Sequence, residues 1–266
     1  MKKVFILSLL AICLATQVMA QKTYVLLTAV SKYSNTEDFT PDQNDLRNST
    51  TDAKELKKVF DKQKNTTVAL LTGDNANKEN IVQKITAILE LAKPEDKIIF
   101  YFSGHGVTEG TYEGVVAEKP SIVIKNGEKI DFLSYDDLYF LFSKAKTKNV
   151  VVLIDACLSG NVKFAYDRMR EAPGVKPLFI TSSRADETSL DNRFLGNGLF
   201  TKSLLKALRG KADADHNKQL TVEEVFKYTY NDVVKHMSMR SEFLGKEQHP
   251  MLIGPGSLHK LVLTKW

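Results

Sequence analysis

The stretch VVLIDACLSG, residues 151–160, decides the fold. Its β-branched and apolar residues predict a buried strand, which runs directly into Asp155 and Cys157 before a turn of small residues. Nearly continuous apolar strands are typical of parallel sheets that are covered on both faces. Functional sites in such sheets lie beyond the carboxyl ends of the strands. The stretch therefore predicts a fold class and also marks a place for chemistry.

Similar apolar runs recur along the chain, and helical patterns separate them. The runs that predict strands cover residues 23–30, 66–71, 97–102, 150–154 and 176–182. The helical spacing of apolar residues predicts helices at 50–63, 77–92, 134–145, near 197–209 and at 221–236. Because strands and helices alternate, the sequence predicts an α/β fold with a mainly parallel sheet, right-handed crossovers and helices on both faces.

One segment interrupts this alternation. In SIVIKNGEKIDFL, residues 121–133, the pair Asn126-Gly127 separates two short β-like runs and predicts a hairpin appended to the main sheet. The tail at 257–266 has the composition of a last strand. Since internal repeats and low-complexity linkers are absent from the sequence, we expect one domain over residues 21–266.

The first 20 residues have the layout of a secretory signal peptide. Two lysines precede an apolar stretch, and small residues lead to a predicted cleavage site after Ala20. We therefore expect an exported protein, either periplasmic or extracellular. A lipid anchor at Cys13 is an alternative, although Ile12 precedes it where a small residue is usual. The apolar stretch is too short to span a bilayer, and no other segment is suited to do so.

Charge and cysteine content narrow the possible functions. The formal net charge of +5 falls to +3 without Lys2 and Lys3, and no basic stripe with interleaved aromatic residues indicates a nucleic-acid partner. Of the two cysteines, Cys13 lies in the predicted signal peptide, so the exported chain keeps Cys157 and has no disulfide. A lone cysteine is most often a small buried apolar residue, and in an oxidising compartment a reactive one is at risk.

A second strand end carries the partner that a reactive thiol needs. The run IIFYFSGHGV, residues 98–107, ends in a glycine-flanked His105. If the two strands are neighbours, His105 lies at the same edge as Cys157 and can act as its general base, although Gly-His-Gly could also be a plain turn. The backbone N–H groups of Gly106 and Cys157 would then be donors for a tetrahedral oxyanion.

These motifs also carry a resemblance to a known family. FSGHG followed by DACLSG resembles the caspase-like cysteine peptidases, in particular their metacaspase and bacterial orthocaspase branch. Blocks at 181–191, 196–228 and 247–250 are similar to the remaining blocks of the bacterial members. The resemblance implies a caspase-type α/β/α sandwich with a six-stranded sheet, endopeptidase activity, a His105–Cys157 dyad and a monomer. Leu158 departs from the histidine that metacaspases often have there.

Specificity is predicted from charge. A carboxylate at Asp155, two residues before the thiol, favours an arginine or lysine side chain of a protein or peptide substrate and repels aspartate. Asp52 matches a second pocket acid in the metacaspase pattern, although a carboxylate is also common at a helix start. With basic specificity, the predicted loop at 161–174 is a candidate for self-processing, because it contains Lys163, Arg168 and Arg170.

Calcium is a possible cofactor. The segment DADHNKQLTVEE overlays a twelve-residue calcium loop, with candidate ligands Asp213, Asp215, Asn217, Gln219 and Glu224. Lys218 stands where that loop prefers glycine, and the alternative is a polar turn in which Thr221 caps a helix. Asp136 and Asp137 resemble the acidic pair of calcium-dependent metacaspases, but they also suit a helix start.

Two alternatives to a peptidase remain open at this point. A catalytically silent caspase-like binding or scaffold module would keep the fold without using the thiol. A calcium-binding, adhesin-like domain would explain residues 213–224 but would leave SGHG and DACLSG without a role.

Overall fold

A computed structural model describes residues 20–33, 45–190, 197–239 and 246–265. The predicted signal peptide, apart from Ala20, lies outside the described residues together with Cys13. The strands are β1 (Thr23–Ala29), β2 (Thr66–Thr72), β3 (Lys97–Ser103), β4 (Gly106–Val107), β5 (Gly110–Tyr112), β6 (Val115–Ala117), β7 (Ser121–Asn126), β8 (Lys129–Ser134), β9 (Asn149–Asp155), β10 (Leu178–Thr181), β11 (Gln219–Thr221), β12 (Met251–Ile253) and β13 (Val262–Lys265). The α-helices are α1 (Ser49–Phe60), α2 (Lys78–Leu91), α3 (Tyr135–Ser143), α4 (Val162–Met169), α5 (Leu199–Lys206) and α6 (Val222–Met239).

Six strands form the central sheet in the order β12-β10-β9-β3-β1-β2. Five of them are parallel, and β12 runs antiparallel to β10 at one edge. The mainly parallel six-stranded sheet is therefore confirmed. Its order puts β3 beside β9, which brings the two strand ends of interest together.

Side chains alternate between the two faces of this sheet and supply two separate cores. Ile98, Phe100 and Phe102 of β3 pack in one core with residues of α2, α3 and α4. Ile99 and Tyr101 pack in the other core with residues of α1, α5 and α6. Because successive strand residues point to opposite faces, a strand buried on both sides is apolar throughout. The predicted sandwich with helices on both faces is confirmed.

The hairpin prediction is correct for the turn and wrong for the attachment. β7 and β8 pair antiparallel around Gly127, which has a positive φ of 60°. They join β4 in a separate three-stranded sheet rather than the main sheet. The reason is that β4 continues the chain just beyond β3 and pairs with β7, which draws the hairpin over the end of the main sheet.

Two further predictions need correction. The tail supplies β13, but β13 pairs with β11 in a two-stranded sheet, and β12 takes the sixth place in the main sheet. With three residues, β12 is too short to show a periodicity in the sequence. The segment 161–174 is not a loop throughout, because it contains α4, whose buried residues Val162 and Ala165 pack into one of the cores.

Candidate active site

The ends of β3 and β9 define the site through their register. Ser103 pairs with Asp155, and the N–H of Gly104 donates to the carbonyl oxygen of Asp155 over 3.1 Å. His105 and Cys157 each follow their strand end by two residues. Both line one small pocket with about 340 Å³ of empty space. The structure thus brings the two predicted residues together.

His105 is held between aromatic rings. Its backbone N–H donates to the Tyr33 hydroxyl over 2.9 Å, and that hydroxyl donates to the Val123 carbonyl over 3.1 Å. The Tyr33 ring lies 4.6 Å from the imidazole, centroid to centroid, and the Tyr112 ring lies at 5.8 Å. Burial raises the pKa of Tyr33 well above its usual value, so its hydroxyl stays protonated. These contacts limit the imidazole to few orientations.

Cys157 stands on a tight turn after β9. The hydroxyl of Ser182 accepts from the N–H of Ala156 and donates to its carbonyl, over 3.1 and 2.9 Å. Leu158 then adopts a left-handed conformation with φ 57°, which turns the chain sharply after the cysteine. The backbone N–H of Ser189 donates to Cys157 Sγ over 3.3 Å. The thiol is half-buried and has an N–H directed at its sulfur.

Gly106 allows the histidine and cysteine turns to approach each other. A Cβ atom at Gly106 would lie 2.2 Å from the Cys157 carbonyl oxygen, a distance that no side chain can occupy. Gly106 pairs with Ile122, and the Val123 N–H donates to the His105 carbonyl beside this pair. In an antiparallel ladder that arrangement marks a non-hydrogen-bonded pair, so the N–H of Gly106 points away from β7.

The two predicted pocket acids lie side by side. Asp52 and Asp155 are 1% and 6% exposed. A Cβ atom at Gly198 would lie 3.1 Å from Asp52 Oδ2 and 3.0 Å from Asp155 Oδ2, so both oxygens converge on one point. Asp52 accepts from the Asn197 amide over 2.6 Å and from the Gly198 N–H.

Asp155 has its own set of hydrogen-bond donors and acts electrostatically on a neighbouring tyrosine. It accepts from the hydroxyls of Ser189 and Thr201, each over 2.6 Å. Burial, and then the charges of Asp52 and Asp155, raise the pKa of nearby Tyr101 well above its usual value. The floor of the pocket is therefore electronegative, and it lies in the same cavity as Cys157 and His105.

Ser189 and Gln248 are site residues that sequence reasoning did not single out. Ser189 links Cys157 to Asp155 through its N–H and its hydroxyl. Gln248 is 1% exposed; its amide donates to the Ser182 carbonyl over 3.0 Å and to Ser189 Oγ over 3.2 Å. Its Oε1 accepts from the Leu190 N–H over 3.1 Å. Both residues lie in segments that resemble the family, at 181–191 and 247–250. That resemblance is the sequence signal by which they could have been identified as site residues.

A side-chain contact between Glu187 and His249 holds the same loop at its other end. Glu187 Oε1 lies 2.7 Å from His249 Nδ1, and Glu187 Oε2 accepts from the His249 N–H. Burial acts to raise the pKa of Glu187, but the hydrogen bonds from His249 and Arg184 outweigh it and lower the pKa. The Leu158 N–H donates to the Glu187 carbonyl over 2.8 Å, which ties this loop to the cysteine turn.

The candidate calcium loop has the geometry of a polar turn whose side chains bind its own backbone. Asp213 accepts from the N–H groups of Asn217 and Lys218, and Asn217 accepts from that of Gln219. Lys218 is left-handed with φ 61°, as the loop pattern requires. Carboxylate oxygens of Asp213, Asp215 and Glu224 lie within 4.8 Å of one another.

The alternative role for part of this loop is also present. Glu224 accepts from the N–H and hydroxyl of Thr221, and Thr221 Oγ1 accepts from the Glu224 N–H, which is a capping box at the start of α6. Elsewhere, Asp136 is ion-paired with Lys119 and Arg168 at the start of α3, so its carboxylate already has two cationic partners. The carboxylate oxygens at 213–224 are the kind of ligand that calcium prefers.

Comparisons with known proteins assign the family. The family model of the caspase domain matches residues 24–260, so the chain belongs to the caspase-domain family. Membership implies cysteine peptidase chemistry and protein substrates. Among solved structures, a Geobacter sulfurreducens protein is 16% identical with a TM-score of 0.60, covering 90% of this chain and 97% of its own. Caspase-1 from Spodoptera frugiperda is 14% identical with a TM-score of 0.57, covering 88% and 86%. Identities this low show a shared fold alone, and no curated protein matches the chain.

In the described ranges, none of the helices combines the length and apolar character that crossing a bilayer requires.

Proposed function

We propose that this protein is a cysteine endopeptidase that cleaves peptide bonds after arginine or lysine. The observation that supports the proposal is one pocket lined by His105, Cys157 and two buried carboxylates: the register of β3 and β9 brings the first two together with Asp155, and α1 supplies Asp52. Export through the signal peptide, which the sequence predicts, and a monomeric state, which the family resemblance implies, are parts of the same proposal.

The chemistry follows from these positions. His105 accepts the thiol proton of Cys157, and the thiolate attacks the carbonyl carbon of the substrate. The N–H groups of Gly106 and Cys157 stabilise the oxyanion, and His105 then donates the proton to the leaving amine. Water hydrolyses the thioester and restores the thiol. The N–H of Ser189 at the sulfur suits the negatively charged thiolate.

The pocket acids support basic specificity. Asp52 and Asp155 are both buried, and their oxygens converge beside Gly198. A buried carboxylate is stabilised by an opposite charge, so a guanidinium or ammonium group entering the pocket gains binding energy from both. An aspartate side chain would add a third negative charge at close range. The same electrostatics therefore favours arginine and lysine and rejects aspartate.

A panel of fluorogenic peptides that end in Arg, Lys or Asp tests the proposal. We expect kcat/KM for the Arg and Lys peptides to exceed that for the Asp peptide by about 10³-fold or more, because rejection of a like charge costs several kcal/mol. Preferential cleavage of the Asp peptide would contradict the assignment of the pocket acids.

The same peptides also test for a calcium requirement, when they are measured with added calcium and with a chelator. If the proposed site at 213–224 must hold calcium, chelation lowers the activity and added calcium restores it.

The scaffold alternative is separated from a peptidase by the reactivity of Cys157. A catalytic thiol paired with a base alkylates readily with iodoacetamide at neutral pH, and it retains reactivity at lower pH, where an ordinary thiol does not. An unreactive Cys157 in a folded protein that cleaves no peptide of the panel would favour the scaffold module.

Self-processing is predicted at the end of α4. Lys163 and Arg168 lie inside the helix, whereas Arg170 follows it and its side chain is 57% exposed. Because proteolysis concentrates in exposed, irregular segments, we expect cleavage after Arg170. Intact-mass measurement of the wild type and of Cys157→Ala after purification checks this. A fragment ending at Arg170 in the wild type alone is the expected result, and identical intact masses would rule self-processing out.

A further inference from the structure

A second groove lies at the amino-terminal ends of the parallel strands, whereas the candidate active site lies at their carboxyl ends. It is lined by the starts of β1 and β3, by the turn between α1 and β2, and by residues 260–265, and it has about 1630 Å³ of empty space. Lys97, at the start of β3, lines it, and the strand ends at Ser103 in the active site. The seven residues of β3 therefore separate the groove from the candidate active site by about 20 Å.

The groove is rich in positive charge. Its lysines are Lys62, Lys64, Lys97, Lys260 and Lys265, and its lining contains no aspartate or glutamate among the described residues. Other lysines of this protein form ion pairs, such as Lys57 with Asp61 and Lys206 with Asp232. None of the five groove lysines does so within the described part of the chain. Lys260 also has an electrostatic interaction with Glu223, which lies outside the lining. Because like charges along one groove repel one another, an anion between them is stabilised.

Lys97 makes this groove different from a cluster of surface lysines. It is 5% exposed, and its ammonium donates to the Val262 carbonyl. Burial and the nearby Lys265 lower the pKa of Lys97 to about 8. An ammonium has three donors, and a buried cation is costly unless an opposite charge compensates it. Thr264 on the same wall is 2% exposed, and its hydroxyl has no hydrogen-bond partner among the described residues.

We infer that this groove binds a small polyanion that carries several phosphate groups. Five ammonium groups match several negative charges better than one, and the comparable cavity volume of the groove, about 870 Å³, lies within the 300–1,000 Å³ or so of an ordinary small-ligand pocket. Lysine recognises phosphate as a point charge, and the buried Lys97 would fix one phosphate. Among its described residues, the lining has no aromatic side chain on which a nucleic-acid base could stack, which favours a polyphosphate over a single-stranded nucleic acid.

Calorimetric titration of the intact protein with tripolyphosphate tests the inference. We expect saturable binding that weakens as salt rises, and weaker binding of orthophosphate. The double variant Lys62→Gln/Lys260→Gln is expected to weaken tripolyphosphate binding by about tenfold, since two ammonium–phosphate contacts are lost. Lys97→Met should weaken it further, with circular dichroism showing that the variant is folded.

The matched control is Lys84→Gln/Lys235→Gln, which removes two exposed lysines outside the groove. The overall charge change is the same in both double variants, and the affinity of the control should stay within about twofold of the wild type, because charges outside the groove are largely screened by salt. Equal losses in both double variants would overturn the inference, as would absence of binding to the wild type. Tighter binding of a sulfated tetrasaccharide than of tripolyphosphate through the same lysines would overturn the phosphate assignment. The titration does not depend on peptidase activity.

Discussion

Replacing Cys157 by alanine is expected to lower kcat/KM for an arginine peptide by about 10⁴-fold or more. The substitution removes the nucleophile, so no thioester can form. His105→Ala should cause a loss of similar size, because the thiol then lacks the base that the neighbouring strand end supplies. The measurement is steady-state cleavage of the same peptide by each purified variant.

A double variant and a control variant test whether His105 and Cys157 act as one catalytic unit. Residues that act as one unit are strongly non-additive, so Cys157→Ala/His105→Ala should be no slower than Cys157→Ala alone. His259→Gln, on a half-buried histidine far along the chain, should keep full activity. If His105→Ala retained most of the wild-type activity, the base would have to be another group.

Much of the arrangement that brings His105 and Cys157 together could be predicted from the sequence. The β-branched runs at 97–102 and 150–154 are long and apolar, and such strands are strongly determined by local pattern. Once both are taken as neighbouring parallel strands, His105 and Cys157 must share one edge. In the structure, Ser103 pairs with Asp155, so the two strands end at the same level, as expected.

What the sequence could not show depends on contacts between distant segments. Gln248 reaches Ser182 and Ser189 across about sixty residues of chain, and no local pattern encodes such a pairing. The three-residue β12 is too short for a period, and its place at the sheet edge comes from tertiary pairing with β10. The burial of Lys97 likewise contradicts the usual exposure of lysine at a strand start.

Neutralising one pocket acid is expected to reduce basic specificity more than it reduces catalysis. Asp155→Asn keeps the size of the side chain and removes its charge, while the Asp52 carboxylate beside it remains. We expect kcat/KM for an arginine peptide to fall by about 10²- to 10³-fold, which corresponds to losing one buried, charge-assisted contact. The citrulline peptide, a neutral analogue of the arginine peptide, should lose much less.

The ratio of arginine to citrulline cleavage is the decisive measurement, because a structural defect would slow both peptides equally. Asp155 also accepts from Ser189 and Thr201, so some general loss is expected from its hydrogen bonds. Asp52→Asn, whose partners are Asn197 and Gly198, should shrink the same ratio independently. Asp137→Asn removes an exposed carboxylate at the start of α3, outside the pocket lining, and should leave the ratio unchanged. An unchanged ratio in both pocket variants would mean that the two acids only bind Ser189 and Gly198 and do not recognise the charge of the substrate side chain.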